Sequence, residues 1–536
     1  MHLPAPALNV PFHDGNHAFA ALSGSDRINA FLMIKRNIVE NMFSNWASLG
    51  VSIAIAFLVS PIIVHSLGNE LYGVWTLIAS VTGYFTVLDF GVNTAIVRYI
   101  SSSDAQKNHG QARKVYSTSL ALFAVVAVGL LIFSLVFGFF FQSIFKLYHI
   151  SKFYLYAVFL LSAVDLALGL LFSVFLGSLS GLQEFKFING SSIAITLVKS
   201  VVVVYLLRQG HGLLTLALLQ VGATLARALC QYWRIKAGHE FLYFSRHAVT
   251  ADTMKLIYGY SVYSFIIAIA LKLLFYTDSL VIGSLIGVSE VTFYAIPSTL
   301  LDYLEKFVWA MIAVLIPVIS ANEAVGEEQG NVNLYVEGTR CSLLVSMPVV
   351  ISLYFYGGDF IRLWMGPEIG GRSFWVLRML LIGFGLATSQ LIAHGILKGI
   401  SRHRALAFIL AIEALVNLLS SVALARPYGI EGVAFGTMVP LILASLVIMV
   451  YTCRLLKLNL WSYLFRAYSG AVAGCLIAIL VAHLLDARAN SYFEIFLKSA
   501  LVSLGFAGAA LPLCLHKKHW IIMFRQVKKI RIASPD

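Results

Sequence analysis

The sequence predicts an all-α protein that crosses a membrane about fourteen times. Three observations carry this expectation. Of 536 residues, 59% are hydrophobic and 12% charged, against about 25% charged in an ordinary soluble domain. Apolar blocks, each about the 20 residues a helix needs to cross the hydrocarbon, follow one another from Asn37 to Leu515. Lysines and arginines concentrate in alternate short loops, the pattern that orients helices in a bilayer. No polar linker of useful length divides the blocks, so they form one continuous membrane domain.

Along the chain, residues 1–36 are expected to form a disordered cytoplasmic tail. It carries Pro4, Pro6, Pro11, Gly15 and Gly24, and lacks the basic start and unbroken apolar stretch of a signal peptide. Met33-Ile-Lys-Arg, just ahead of the first span, reads as an alternative translation start. An N-lobe, 37–236, holds spans near 40–64, 73–97, 115–141, 153–178, 187–207 and 212–233. A cytoplasmic inter-lobe linker follows at 237–255. A C-lobe, 256–457, holds spans near 256–286, 291–319, 334–356, 373–397, 404–425 and 431–453. Two further spans, near 463–485 and 494–515, fill 458–515, and 516–536 is a basic cytoplasmic tail. The segments 187–207 and 404–425 are the most polar inside.

One set of loops holds Lys35, Arg36, Lys107, Arg113, Arg234, Arg402 and Arg454; the other holds little beyond Lys146, Lys152, Arg208, Arg362, Arg372, Arg426 and Arg488. The full ratio is roughly three to one, which assigns the first set and both termini to the cytoplasm. The formal net charge of +13 then belongs to loops facing anionic headgroups. With no compact basic patch interleaved with aromatics, nucleic acid is not an expected partner.

Charges inside the spans are costly, about 2.5–3.5 kcal/mol each at mid-bilayer, yet there are many: Asp89, Asp165, Lys199, Arg227, Lys272, Asp278, Asp302, Glu305, Lys306, Arg378 and Glu413. Several fall on single helix faces. Gln220, Thr224, Arg227, Gln231 and Arg234 align on one span, and Asn189, Ser192, Thr196 and Lys199 on its neighbour. Ser264, Ala268, Lys272 and Tyr276 form another stripe. Ser298, Asp302, Glu305 and Trp309 share a face, with Asp302 in reach of Lys306. Gln390, His394 and Lys398 align, as do Glu413, Asn417 and Ser421. Small and polar residues also glue helices together in lipid, and that reading suits the serines and threonines. The charged members are expected instead to line a central cationic, water-filled cavity.

Enzyme and cofactor signatures are absent. There is no GxxxxGK[ST] loop, nucleophile elbow or HExxH pair, and His65, His394 and His483 stand alone. Cys230, Cys341, Cys453, Cys475 and Cys514 form no CxxC pair and read as apolar filler. No cofactor and no metal are expected.

Two stretches suggest an internal repeat. Leu67-Gly68 and Ile286-Gly287 each leave a span, and each is followed by an acidic residue and a tyrosine, Glu70 with Tyr72 and Glu290 with Tyr294. The first continues through Gly73-Val74-Trp75, then Leu88-Asp89-Phe90-Gly91 and Ala95-Ile96-Val97-Arg98-Tyr99. These residues resemble the polysaccharide transporter family, the Wzx-type lipid-linked oligosaccharide flippases of the multidrug/oligosaccharidyl-lipid/polysaccharide exporter superfamily. The resemblance implies two pseudo-symmetric six-helix lobes plus two C-terminal helices, in a bacterial inner membrane. It implies transfer of a polyprenyl-pyrophosphate-linked oligosaccharide by alternating access, coupled to an ion gradient. Membrane lipids, a polysaccharide polymerase and a chain-length regulator are the implied partners. For such a substrate Lys199, Arg227, Lys272, Lys306 and Arg378 are candidate lumen residues, because pyrophosphate must be desolvated against positive charge. Asp89, Asp165, Asp278, Asp302 and Glu305 are candidates for gating or ion coupling. The alternatives are a multidrug or small-cation exporter of the same fold, a membrane glycan polymerase or ligase, and a scaffold for glycosyltransferases. The short outer loops weigh against the enzyme and the basic stripes against the cation exporter.

Overall fold

The computed structural model describes residues 24–514 apart from 259–261, 314, 325, 401 and 487. Every regular element among them is helical. The N-terminal half contains α1 (Gly24–Phe85), α2 (Val92–Ala105), α3 (His109–Ile144), α4 (Lys152–Gly181), α5 (Phe185–Arg208) and α6 (Leu213–Gly238). Then come α7 (Ala251–Tyr258), α8 (Val262–Leu285), α9 (Val288–Ala313), α10 (Ile316–Ala324) and α11 (Glu328–Met365). The chain continues through α12 (Pro367–Arg372), α13 (Phe374–Gly399), α14 (His403–Leu455), α15 (Leu460–Leu484) and α16 (Tyr492–Cys514).

Eleven of the described helices are long and apolar enough to cross a membrane. Two of these are long enough for two crossings. The apolar stretch Ser44–Asp89, most of it α1, is 46 residues long, and α14 is 53; at 1.5 Å per residue each is about twice the hydrocarbon thickness. Each breaks at a glycine in a conformation closed to other L-residues: Gly68 (φ 75°, ψ 169°) in α1 and Gly429 (φ 62°, ψ −146°) in α14. The α9 helix is long enough but holds Asp302, Glu305 and Lys306 together. Apolar side chains such as Val128, Ile132 and Val136 on α3 and Leu476, Leu480 and Leu484 on α15 stand exposed on the outside of the bundle. Surface this apolar and this continuous is lipid-facing.

Three local expectations change. The span expected at 73–97 is interrupted: α1 ends at Phe85, a 3-10 turn covers Thr86–Asp89, and Phe90 (φ 48°) and Gly91 (φ 76°) turn the chain left-handed before α2. Part of the expected disordered tail is helical, since α1 reaches back to Gly24; residues 1–23, the basic tail 516–536 and the Ser264 side chain lie outside the described residues. The linker is strapped to α3. Ser117 Oγ donates to the Tyr243 carbonyl (3.3 Å) and accepts from the Ser245 amide (3.1 Å), and the Arg113 guanidinium lies 4.9 Å from the centre of the Tyr243 ring.

Helices α3 to α6 pack on one another, with the first limb of α1 against α5; α8 packs on α14, and α13 lies between α11 and α14. The hairpin α15–α16 rests on α11. The halves meet where α1 lies against α8 and α9. One end of this seam is tightly closed around the Gly68 break. Thr292 Oγ1 donates to the Asn69 carbonyl (2.6 Å) and Asn69 Nδ2 to Glu368 (3.2 Å). Trp364 Nε1 donates to the Phe57 carbonyl (3.0 Å), with the two rings stacked at 4.6 Å.

Candidate functional site

Inside the C-terminal half, between α8, α9, α13 and α14, lies a cavity with about 180 Å³ of room for water. Leucine and phenylalanine dominate its wall, but Asp278, Asp302, Glu305, Glu413 and His394 also line it, and no Lys or Arg does. Asp278 is its deepest anchor, 3% exposed. Its carboxylate accepts from Tyr294 on α9, from Thr437 Oγ1 (2.7 Å) on the second limb of α14, and from Ser421 Oγ (3.0 Å) on the first. Asn417 Nδ2 donates to Thr437 (3.0 Å), extending the network. A carboxylate at this depth needs such donors, because an unsatisfied buried charge is far costlier than a hydrogen-bonded one. The 421/437 pair can converge only because Gly429 folds α14 into two limbs.

The N-terminal half holds a different cluster. Lys199 Nζ donates to Gln220 Oε1 (2.8 Å), and Thr224 Oγ1 donates to Asp165 Oδ1 (2.6 Å). Arg227 and Asp165 both lie close enough to Lys199 to act on its charge. Arg227 Nε is buried with no acceptor among the described residues. This cluster brings two basic side chains to one carboxyl, whereas the C-terminal cavity is lined by four acidic side chains. At one end of the same helices, Glu184 accepts from Arg234 Nη2 (2.7 Å) and contacts His239 (3.3 Å). Burial pushes the Glu184 carboxyl up, but Arg234 and His239 together outweigh it and hold it below the usual range.

Lys272, Asp302 and Lys306 sit at the seam between the halves. Lys272 lies over the Tyr276 ring (5.5 Å), and Tyr276 abuts Gly83 of α1 so closely that a Cβ there would fall 2.3 Å from the ring. Tyr84 and Thr277 hydroxyls meet across the same seam at 2.6 Å. Lys306 pairs with Asp302 at 3.8 Å, and Phe307 next to it packs edge-on against Trp46 of α1.

The five expected cations lie in three places. Lys199 and Arg227 are together, Lys272 and Lys306 flank the seam, and Arg378 is apart. Arg378 sits one turn into α13 among Tyr354, Phe374 and Trp375. Among the expected carboxylates, Asp278, Asp302 and Glu305 come together in one cavity and Asp165 joins the N-terminal cluster. Asp89 does neither: it accepts from the amide (3.3 Å) and Nδ2 (3.1 Å) of Asn93, so it caps the first turn of α2. Sequence reasoning left Glu413 out of the site, although its alignment with Asn417 and Ser421 was visible. Tyr294 was marked only as part of the internal repeat and Thr437 not at all, because their role depends on other helices.

Fold and site together define a multi-pass α-helical membrane protein with charged groups enclosed in both halves. Residues 38–323 match the family described as polysaccharide biosynthesis protein, and the chain belongs to that family. Among curated proteins it is 24% identical over 420 residues to a putative O-antigen transporter of Shigella flexneri, covering 77% of this chain and 97% of that protein. It is 22% identical over 415 residues to the uncharacterized membrane protein EpsK of Bacillus subtilis, covering 76% and 81%. Its fold is similar to an inward-facing multidrug resistance MATE family transporter (TM-score 0.65, 14% identity, 76% of this chain and 98% of that one). It is also similar to the lipid II flippase MurJ in an inward closed conformation (TM-score 0.62, 15% identity, 88% and 98%).

Proposed function

We propose that this protein is a carrier that flips a polyprenyl-pyrophosphate-linked oligosaccharide across the bacterial inner membrane, for O-antigen, capsule or exopolysaccharide assembly. The observation that carries the reading is the seam: two charged half-bundles meet along α1, α8 and α9 and are latched at one end around Asn69. A substrate with a charged head and a lipid tail would pass between halves that rock about such a seam. Family membership and the name of a curated relative, a putative O-antigen transporter, favour this substrate class over drugs.

Within this reading the two limbs of α1 and of α14 each count as a crossing, and α9 is a further one, giving the expected fourteen. The lobes are 37–236 and 256–457, the accessory pair lies in 458–515, and both termini are cytoplasmic. Lys199 and Arg227 hold the pyrophosphate, Lys272 and Lys306 guide it along the seam, and the C-lobe carboxylates around Asp278 serve coupling. Asp89 acts on the hinge before α2 and Arg378 takes no part in the lumen. A polymerase and a chain-length regulator act beside the carrier, which performs no chemistry itself.

The test is the sidedness of the lipid-linked oligosaccharide in inverted vesicles from a deletion strain. Accumulation on the cytoplasmic leaflet, reversed by the wild-type protein, supports the reading. Normal sidedness without the protein refutes it.

A further inference from the structure

Arg378 differs from the other cations of its end of the bundle. Arg362 is paired with Asp359 (3.1 Å) and Arg372 with Glu290 (2.7 Å). Arg208, Arg426 and Arg488 are exposed. Arg378 is half-buried, and no carboxylate lies within ion-pair range of it among the described residues. Its Nε donates to the Tyr354 carbonyl (3.1 Å), and no described protein group accepts from its terminal nitrogens.

The surroundings are aromatic and face outward. The guanidinium carbon lies 4.1 Å from the centre of the Phe374 ring, 4.8 Å from Tyr354 and 5.5 Å from Trp375. Trp375 is 54% exposed, and Ile382, two turns along the same helix face, is 49% exposed. That face is therefore on the lipid side of α13. Ring faces partly replace the hydration of a guanidinium but do not neutralise it, and an exposed tryptophan marks headgroup depth. A flat cation with its Nε already bonded presents its two terminal nitrogens as a fork that fits a phosphate's oxygens.

We propose that Arg378, with Trp375, Phe374 and Tyr354, forms an outer-leaflet binding site for the phosphate of an anionic bilayer phospholipid. The site lies outside the seam and does not depend on the transport reading. The same chemistry would also hold the pyrophosphate of a polyprenyl carrier at the rim of the protein. The lipid-facing position of Trp375 and Ile382 favours the resident phospholipid, which is always in contact with that face.

Native mass spectrometry of the full-length, delipidated protein tests this, titrating dioleoylphosphatidylglycerol, dioleoylphosphatidylcholine and polyprenyl pyrophosphate in turn. Losing a charge-assisted, two-pronged contact should weaken the tightest phosphatidylglycerol site about tenfold in Arg378→Gln, with a smaller loss for phosphatidylcholine, whose choline cation offsets the attraction of its phosphate. Equal phosphatidylglycerol binding by wild type and variant overturns the proposal. Dependence on Arg378 for polyprenyl pyrophosphate alone overturns the assignment to phospholipid. If Arg378→Gln is not monodisperse, Arg378→Lys carries the test: it keeps the charge but not the fork, and unchanged binding there again counts against the site.

Discussion

Substituting Gly73 tests the closed seam most sharply. Gly73 lies on the second limb of α1, and a Cβ there would fall 2.1 Å from the carbonyl oxygen of Val288, the first residue of α9. The obstructing atom is backbone, so no rotamer change can relieve the clash. Either α1 and α9 separate or the seam stays closed under strain. Overpacking of this kind costs about 1–3 kcal/mol. If the strain falls only on the closed arrangement, a cost of about 2 kcal/mol shifts the closed-to-open ratio about thirtyfold. Spin labels at Tyr148, in the α3–α4 turn, and Ser289, at the start of α9, report the width of this end by pulsed electron resonance. The labels are placed in a background lacking the five native cysteines. Gly73→Ala should move the distance distribution to a longer population, and Gly73→Leu further. Gly129→Ala, where a Cβ meets nothing within 4 Å, should leave it unchanged. An unaltered distribution in Gly73→Ala, with wild-type thermal stability, would show that the seam is not packed as described.

Three further outcomes follow from the same geometry. Asp278→Ala removes the common acceptor of Tyr294, Thr437 and Ser421; it should destabilise the protein by about 1–3 kcal/mol, read as a lower thermal midpoint in detergent, whereas Asp89→Ala should cost about 1 kcal/mol, as loss of a helix cap does. The Glu184 carboxyl is held below its usual value near 4.5, so its pairing with Arg234 and His239 stabilises the fold fully above that value and is lost as pH falls through the depressed one. Glu184→Gln should therefore flatten the acid limb of a thermal-midpoint profile below about pH 4.5, and an unchanged limb would mean that other carboxylates set it. Gly68→Ala must hold a non-glycine residue at φ 75°, ψ 169°, at a cost of about 1–3 kcal/mol; it should lower the thermal midpoint or straighten α1, the latter seen as loss of proximity between Asn69 and Glu368 in a cysteine cross-linking assay.

The helical membrane class was legible in the sequence because it rests on composition and block length alone, which tertiary context does not alter. The stripes were legible too: Lys199 and Gln220, each on a polar stripe, face each other, because a helix of 3.6 residues per turn fixes which residues share a face. Periodicity gives a face but not the neighbour it meets. Lys199, Lys272 and Arg378 therefore looked equivalent, although one lies inside a half-bundle, one at the seam and one on the lipid side. The break at Asp89 was hidden because Phe90, not only Gly91, takes the left-handed conformation, and a phenylalanine there gives no local warning. Tyr294 and Thr437 were illegible for a third reason: their partner, Asp278, lies 16 and 159 positions away, and only the folded halves bring them together.

The most direct test of the central claim is flipping by the purified protein alone in proteoliposomes, using a polyprenyl-pyrophosphate-linked oligosaccharide whose exposed fraction is read by a glycosidase outside the vesicles. Translocation by the wild type, lost in Lys199→Ala and Arg227→Ala but kept in Arg378→Ala, is the predicted result. Flipping that is absent in the wild type across imposed ion gradients, or that survives neutralisation of both Lys199 and Arg227, would contradict the account.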